Sequence, residues 1–133
     1  MTRIFLIIAA LGAAMIAATQ ITAQVNAAEW SSYNAAEFTI AQKKGKTIVV
    51  DVYSDGCLTC RTQAPILNEL RAERQSNDVL FVKVNFDDEK DFLREKQIPR
   101  HSTVLVFKGT DEVARSIAET NRGRLRGTVL NAL

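Results

Sequence analysis

Several things are scarce in this chain of 133 residues. It has two cysteines, Cys57 and Cys60, and one histidine, His101. Two cysteines exclude a cysteine-rich scaffold and leave room for one bridge or one redox pair. One cysteine pair and one histidine also fall short of the four ligands that a structural zinc takes. Charge of one sign is not in excess: 17 basic and 15 acidic side chains give a formal net charge of +2. The chain therefore carries no electrostatic footprint for nucleic acid. No apolar run reaches the roughly 20 residues of a membrane-spanning helix. No internal repeat, linker or low-complexity segment is present.

Composition divides the chain in two. Residues 1–28 hold 20 apolar residues and one charge, Arg3, while residues 29–133 hold 42 apolar residues and 31 charges. The first part has a charged start, an apolar middle over Ile4 to Ala18 and a small-residue end, the layout of a secretory signal. Cleavage is expected after Ala27 or Ala28, with Ala23 as a further site, and the alternative is an uncleaved anchor. No cysteine lies near the junction, which excludes a lipid-anchored start. Export implies a compartment where disulfides persist, with a bacterial periplasm as the expected destination. Residues 29–133 have ordinary globular composition and suffice for one domain with its own core.

Periodicity and turn chemistry predict the elements of that domain. A helix is expected over Tyr33 to Lys43, capped by Ser31 or Ser32, with Tyr33, Ala36, Ile40 and Ala41 on one face. Thr47 to Tyr53 reads as a strand covered on both sides. Ser54-Asp55-Gly56 is a turn, and a helix follows from about Cys57 to Gln75 with Pro65 inside it. Val79 to Asn85 and Thr103 to Phe107 are further strands, with a short helix from Asp88 to Lys96 between them. Glu112 to Ile117 completes a hairpin, and a last helix covers roughly Arg124 to Ala132. The first two long strands flank a helix and so lie parallel, and the last two are antiparallel. The expected fold class is α/β: a mixed four-stranded sheet in the order β-α-β-α-β-β-α, helices on both faces and an extra N-terminal helix.

The chemistry is concentrated where a strand, a turn and a helix meet around Cys57-Leu58-Thr59-Cys60. At this spacing two sulfurs on a first helical turn can meet. Free N–H groups and the macrodipole at a helix start stabilise a thiolate, making Cys57 the candidate nucleophile. Cys60, further in and expected to be less exposed, can attack a mixed disulfide formed by Cys57. Asp51, an acid in an apolar strand, is costly to ionise when buried. It reads either as a strand-end acid bonded to backbone or as a proton acceptor for Cys60.

The stretch Thr47 to Pro65, TIVVDVYSDGCLTCRTQAP, resembles the active-site segment of thioredoxin-fold proteins, and the resemblance extends over about residues 45–133. Asp51 matches the family's buried acid, Tyr53 its aromatic backing, Pro65 its helix proline and Lys83 the lysine that pairs with the acid. Exported thioredoxin-like proteins are the most similar. The resemblance implies a thiol–disulfide oxidoreductase without an organic cofactor, exchanging disulfides with protein thiols and a redox partner protein, and a monomer that meets the membrane only through its leader. Cys57, Cys60, Asp51 and Lys83 are then the catalytic group.

Two departures from the family pattern stand out. Gly56 occupies the position where thioredoxins carry tryptophan. Strand register puts Ser102 where the family has a cis-proline facing the cysteines. Pro99 is the rival for that position, but it would start the strand with Arg100-His101-Ser102, a poor core strand. A non-proline cis bond costs about 3–4 kcal/mol, so the bond before Ser102 is either locked by its surroundings or trans. Tyr53, Gly56, Leu58, Thr59, His101 and Ser102 are expected to line the substrate groove. His101 reads as an exposed loop residue or as a third ligand, with Cys57 and Cys60, for a soft metal such as Cu(I). Two rival functions follow: a metal-binding module on those three residues, or a structural thioredoxin fold without turnover.

Overall fold

The structure, a computed structural model, describes residues 28–133. The expected leader, residues 1–28, lies outside the described residues apart from Ala28. The elements are β1 (Trp30–Ser32), α1 (Ala35–Lys43), β2 (Thr47–Tyr53), α2 (Leu58–Ala72), a 3-10 turn (Arg74–Ser76), β3 (Leu80–Asn85), α3 (Lys90–Glu95), β4 (Thr103–Lys108), β5 (Asp111–Ile117) and α4 (Arg122–Leu130). The sheet order is β1-β3-β2-β4-β5. β1 and β2 run parallel to β3, β4 runs antiparallel to β2, and β5 runs antiparallel to β4.

The alternation of side chains along the central strands sorts the core into two halves. Ile48, Val50 and Val52 of β2 share one face with Val82, Val84, Leu105 and Phe107, under Phe38 and Ala41 of α1 and Phe92 and Leu93 of α3. Val49 of β2 shares the other face with Phe81, Val104 and Val106, under Ile66, Leu67 and Leu70 of α2 and Leu125 and Val129 of α4. Asp51 has the parity of Val49, and Lys83 that of Phe81. The face that carries α2 therefore also carries the charged residues of β2 and β3.

The sheet has five strands, not the four expected. The additional strand β1 is three residues long, too short to show an alternating pattern. Tertiary contacts hold it: Trp30 stands edge-on to Phe81 at 5.3 Å, and its indole N–H donates to Asn68 Oδ1 at 2.8 Å. The Tyr33 N–H then donates to the Lys83 carbonyl at 2.9 Å, so Tyr33 precedes the first helix rather than opening it. The cap of α1 is Asn34, whose side chain accepts from the Glu37 N–H at 3.1 Å, and not Ser31 or Ser32. Asn121 caps α4 in the same way, which starts that helix two residues before the expected Arg124. α2 ends at Ala72, before the expected Gln75. The chain then turns, and buried Ser76 donates to the Leu70 carbonyl at 2.6 Å, occupying a carbonyl of the last helical turn.

The inward face of α1 is also not the expected one. Phe38 and Ala41 are buried, whereas Ile40 is 51% exposed. Phe38 meets Tyr33, Phe92 and Phe107 with ring centroids 5.4–5.7 Å apart, and that aromatic cluster fixes the rotation of the helix. Replacing Phe38 by alanine should cost about 3–5 kcal/mol of stability. Ile40→Ala should change it by about 0.5 kcal/mol or less. Urea unfolding of the two variants would separate them, and equal losses would refute this orientation of α1.

Candidate active site

The turn between β2 and α2 sets the cysteines in place. Gly56 has φ +76°, a left-handed backbone that glycine adopts without steric cost. A Cβ there would meet nothing within 4 Å, so the backbone angle and not space explains the glycine. Cys57 caps α2: its Sγ accepts the Cys60 N–H at 3.1 Å. Cys57 and Cys60 form a disulfide, with Cα atoms 5.3 Å apart.

A second segment covers this pair. The loop before β4 brings His101 Nδ1 to 3.1 Å and Ser102 Oγ to 3.1 Å from Cys57 Sγ. Ser102 Oγ is also 3.3 Å from Cys60 Sγ and 3.3 Å from His101 Nδ1. The loop reverses the exposure expected of the two cysteines. Cys57 is only 7% exposed, and Cys60 is half-buried. Position on the first helical turn would leave Cys57 open, but His101 and Ser102 lie over it.

Ser102 is fully buried and has φ +63°, with a trans bond before it. Its N–H donates to the Val52 carbonyl at 2.7 Å. Its carbonyl accepts from the Ala118 N–H at 2.9 Å and from Gln63 Nε2 at 3.3 Å. Pro99, the rival for this position, is exposed and lies in a different depression with Phe86, Lys90 and Ile98. Gln63 was not singled out in the sequence. It is fully buried in α2, and its Nε2 also donates to the Glu119 carbonyl at 3.0 Å, so one side chain ties the Ser102 loop to the end of the hairpin. Its spacing from Ile66, Leu67 and Leu70 marks it as an inward position, the signal that could have revealed it.

A cleft of about 240 Å³ runs beside the disulfide, lined by Asp51, Tyr53, Gly56, Cys57, Cys60 and Lys83 among others. Asp51 is buried, opposite Lys83 in the β2–β3 register, with Lys83 Nζ 3.5 Å from its Oδ2. The other oxygen, Oδ1, is buried without a hydrogen-bond partner. Burial pushes the Asp51 pKa up, and the Lys83 ammonium pulls against that without reversing it. Lys83 Nζ also lies 5.0 Å from the centroids of both Tyr53 and Trp30. Leu58 is 73% exposed and Thr59 is half-buried. Six of the ten residues singled out for the site line this cleft, His101 and Ser102 reach the sulfurs from the covering loop, and Leu58 and Thr59, between the cysteines in sequence, do not line it.

The thioredoxin family model matches residues 22–131. The chain belongs to the thioredoxin family. Among solved structures it is similar to Trxlp from Edwardsiella tarda, with a TM-score of 0.70, 37% identity, and coverage of 74% of this chain and 95% of that one. Among curated proteins it is 32% identical over 89 residues to the H-type thioredoxin of Fagopyrum esculentum, covering 67% of this chain and 72% of that protein. It is also 27% identical over 92 residues to a bifunctional thioredoxin reductase/thioredoxin of Mycobacterium leprae, covering 69% of this chain and 20% of that protein. With the family's cysteine pair in place as a disulfide, this thioredoxin-family protein is a thiol–disulfide oxidoreductase.

Two variants test the geometry. Proline at 102 would lose the N–H bonded to Val52, and its ring fixes φ near −65°, far from +63°. Ser102→Pro should therefore lose about 2 kcal/mol of stability or more, whereas Ser102→Gly should stay within about 1 kcal/mol. Thermal melts of both variants check this; a stable proline variant would refute the backbone described for the loop.

Asp51 supplies a pH signature. An acid with a raised folded-state pKa holds its proton longer in the native state, so stability falls as pH rises from the ordinary value of 3.8 through the raised one. Asp51→Asn removes that penalty, and Lys83, with a side chain 35% exposed, can turn to water. The variant should be more stable than the native protein by about 1 kcal/mol or more at neutral pH, with no gain below pH 3.8. Chemical denaturation across pH measures the difference, and a constant difference would refute the burial cost assigned to Asp51.

Proposed function

We propose that this protein is an exported thiol–disulfide oxidoreductase in which Cys57 attacks the substrate and Cys60 resolves the intermediate. The observation that carries the assignment is the surroundings of Cys57 Sγ. A backbone N–H, an imidazole nitrogen and a hydroxyl all lie 3.1 Å from it. Hydrogen bonds donated to a thiolate favour the charged form and the leaving sulfur alike. Among the described residues, Cys60 Sγ has one such polar neighbour, Ser102 Oγ at 3.3 Å.

In the reducing direction, the Cys57 thiolate attacks one sulfur of a substrate disulfide and expels the other as a thiolate. The Cys60 thiol then gives its proton to Asp51, directly or through water, and attacks Cys57 Sγ. The Cys57–Cys60 disulfide forms and the second substrate sulfur leaves. Two electrons pass to the substrate, and the reverse sequence oxidises a partner dithiol. Asp51 is suited to accept the proton because burial has raised its affinity for one, while Lys83 keeps that affinity from rising further. Tyr53 and Gly56 border the cleft where a substrate strand would lie, exposed Leu58 is available to meet it, and the His101–Ser102 loop covers the sulfur it must reach. The name of the Mycobacterium leprae relative supports a thioredoxin reductase as the class of electron partner. The leader-like composition of residues 1–28 supports export to a periplasm, with the mature domain starting near residue 28.

Trapping in cells tests the roles. Cys60→Ser should accumulate mixed disulfides with client proteins, and Cys57→Ser should not. Asp51→Asn, with both cysteines present, should slow exchange about tenfold or more at neutral pH. Equal trapping by both cysteine variants would overturn the order of attack. The intact mass of the same preparations should place the first residue between Gln24 and Glu29, and a chain that retains Arg3 would overturn cleavage.

A further inference from the structure

The covering loop gives the cysteine pair a third donor that disulfide exchange does not require. One ligating atom each from Cys57, Cys60 and His101 lies within 4.8 Å of the other two. The sulfurs come from the start of α2 and the imidazole from the loop before β4, so the tertiary fold assembles the group. Its geometry is held from outside the group as well. Ser102, next to His101, is fixed by its bond to Val52 and by the bonds its carbonyl accepts from Ala118 and Gln63. Phe86 lies edge-on to the imidazole, with ring centroids 5.8 Å apart.

We propose that the reduced protein binds one Cu(I) ion through Cys57 Sγ, Cys60 Sγ and His101 Nδ1, at a site that exists only while the disulfide is open. The donor set selects the ion. Two thiolates and one imidazole are soft or borderline ligands and suit Cu(I). Zinc takes four ligands in a closed site, and among the described residues no further histidine, cysteine or carboxylate joins this group. Ser102 Oγ can donate a hydrogen bond to either sulfur, which moderates the negative charge of the thiolates without acting as a ligand. The two sulfurs must part well beyond bonding distance to admit an ion between them, and breaking the sulfur–sulfur bond is what releases them.

The steps balance. A dithiol partner reduces the Cys57–Cys60 disulfide, giving up two electrons and two protons and becoming a disulfide itself. Cu(I) then displaces the two thiol protons and forms two copper–sulfur bonds and one copper–nitrogen bond, with no change in its oxidation state. Copper and disulfide exchange therefore compete for the same sulfurs. The inference rests on the exchange reading only in requiring a reducible disulfide.

The test uses the protein as isolated, reduced with a phosphine that is then removed without oxygen. Thiol titration comes first and should give two thiols per chain. A chain that stays without free thiols would overturn the exchange reading. With two thiols counted, Cu(I) is supplied as the complex of a coloured chelator. The protein should withdraw one equivalent and the oxidised protein none. Cys57→Ser and Cys60→Ser should abolish the withdrawal. His101→Ala, with its thiol count unchanged, should weaken it about tenfold or more. Two free thiols with no copper withdrawn would overturn the site while leaving the exchange reading intact. Equal affinity of the His101→Ala variant would overturn the imidazole as a ligand, and tighter one-to-one binding of zinc than of Cu(I) would overturn the choice of ion.

Discussion

The backbone of Ser102 hangs the covering loop over the disulfide. Its N–H donates to the Val52 carbonyl at 2.7 Å, which ties the loop to the strand that leads into the cysteine turn. Val52 also lies opposite Thr103 in the β2–β4 register, so the bond extends the pairing of those strands by one irregular step. That step requires the left-handed backbone at Ser102, a conformation costing about 1–2 kcal/mol for a residue with a Cβ. Bonds to Ala118, Gln63 and Val52 offset this cost together. The loop is thus anchored from β2, from the end of β5 and from α2 at once.

The opposite wall of the site depends on the parity of the central strands. Asp51 and Lys83 lie level with each other on the face of the sheet that carries α2. A shift of one residue in either strand would move one of them into the aromatic cluster beneath α1. The apolar neighbours that flank Asp51 on β2 are what forbid such a shift. The burial that makes the carboxyl costly to ionise and the register that places it in the cleft have one origin.

Much of this was legible in the sequence, and the remainder was hidden for identifiable reasons. TIVVDVY, VLFVKVN and TVLVFK each carry a pattern long enough to declare a buried strand, and the cysteine pair follows the turn signal Ser54-Asp55-Gly56. Those features suffice for the α/β class and for the candidate site. Trp30–Ser32 could not be read as a strand, because three residues hold no period and the contacts that fix them come from Phe81, Asn68 and Lys83. The helix caps were misplaced because serine and asparagine are both good caps, and only the tertiary position of Tyr33 decides between Ser32 and Asn34. Local reasoning also took Cys57 to be the open sulfur. The side chains that cover it lie 44 and 45 residues further along.

The sulfur of Cys57 also serves as the helix cap of α2. Most caps are oxygens whose strength as acceptors is constant under physiological conditions. Here the acceptor changes its chemical nature with each catalytic cycle: a neutral sulfur in the disulfide, a full anion once Cys57 is reduced and deprotonated. The anion is the stronger acceptor for the Cys60 N–H and the better complement to the positive end of the helix. The first turn of α2 is therefore held more firmly on one side of the reaction than on the other. Fraying at that end of the helix becomes a property of the electron count of the protein.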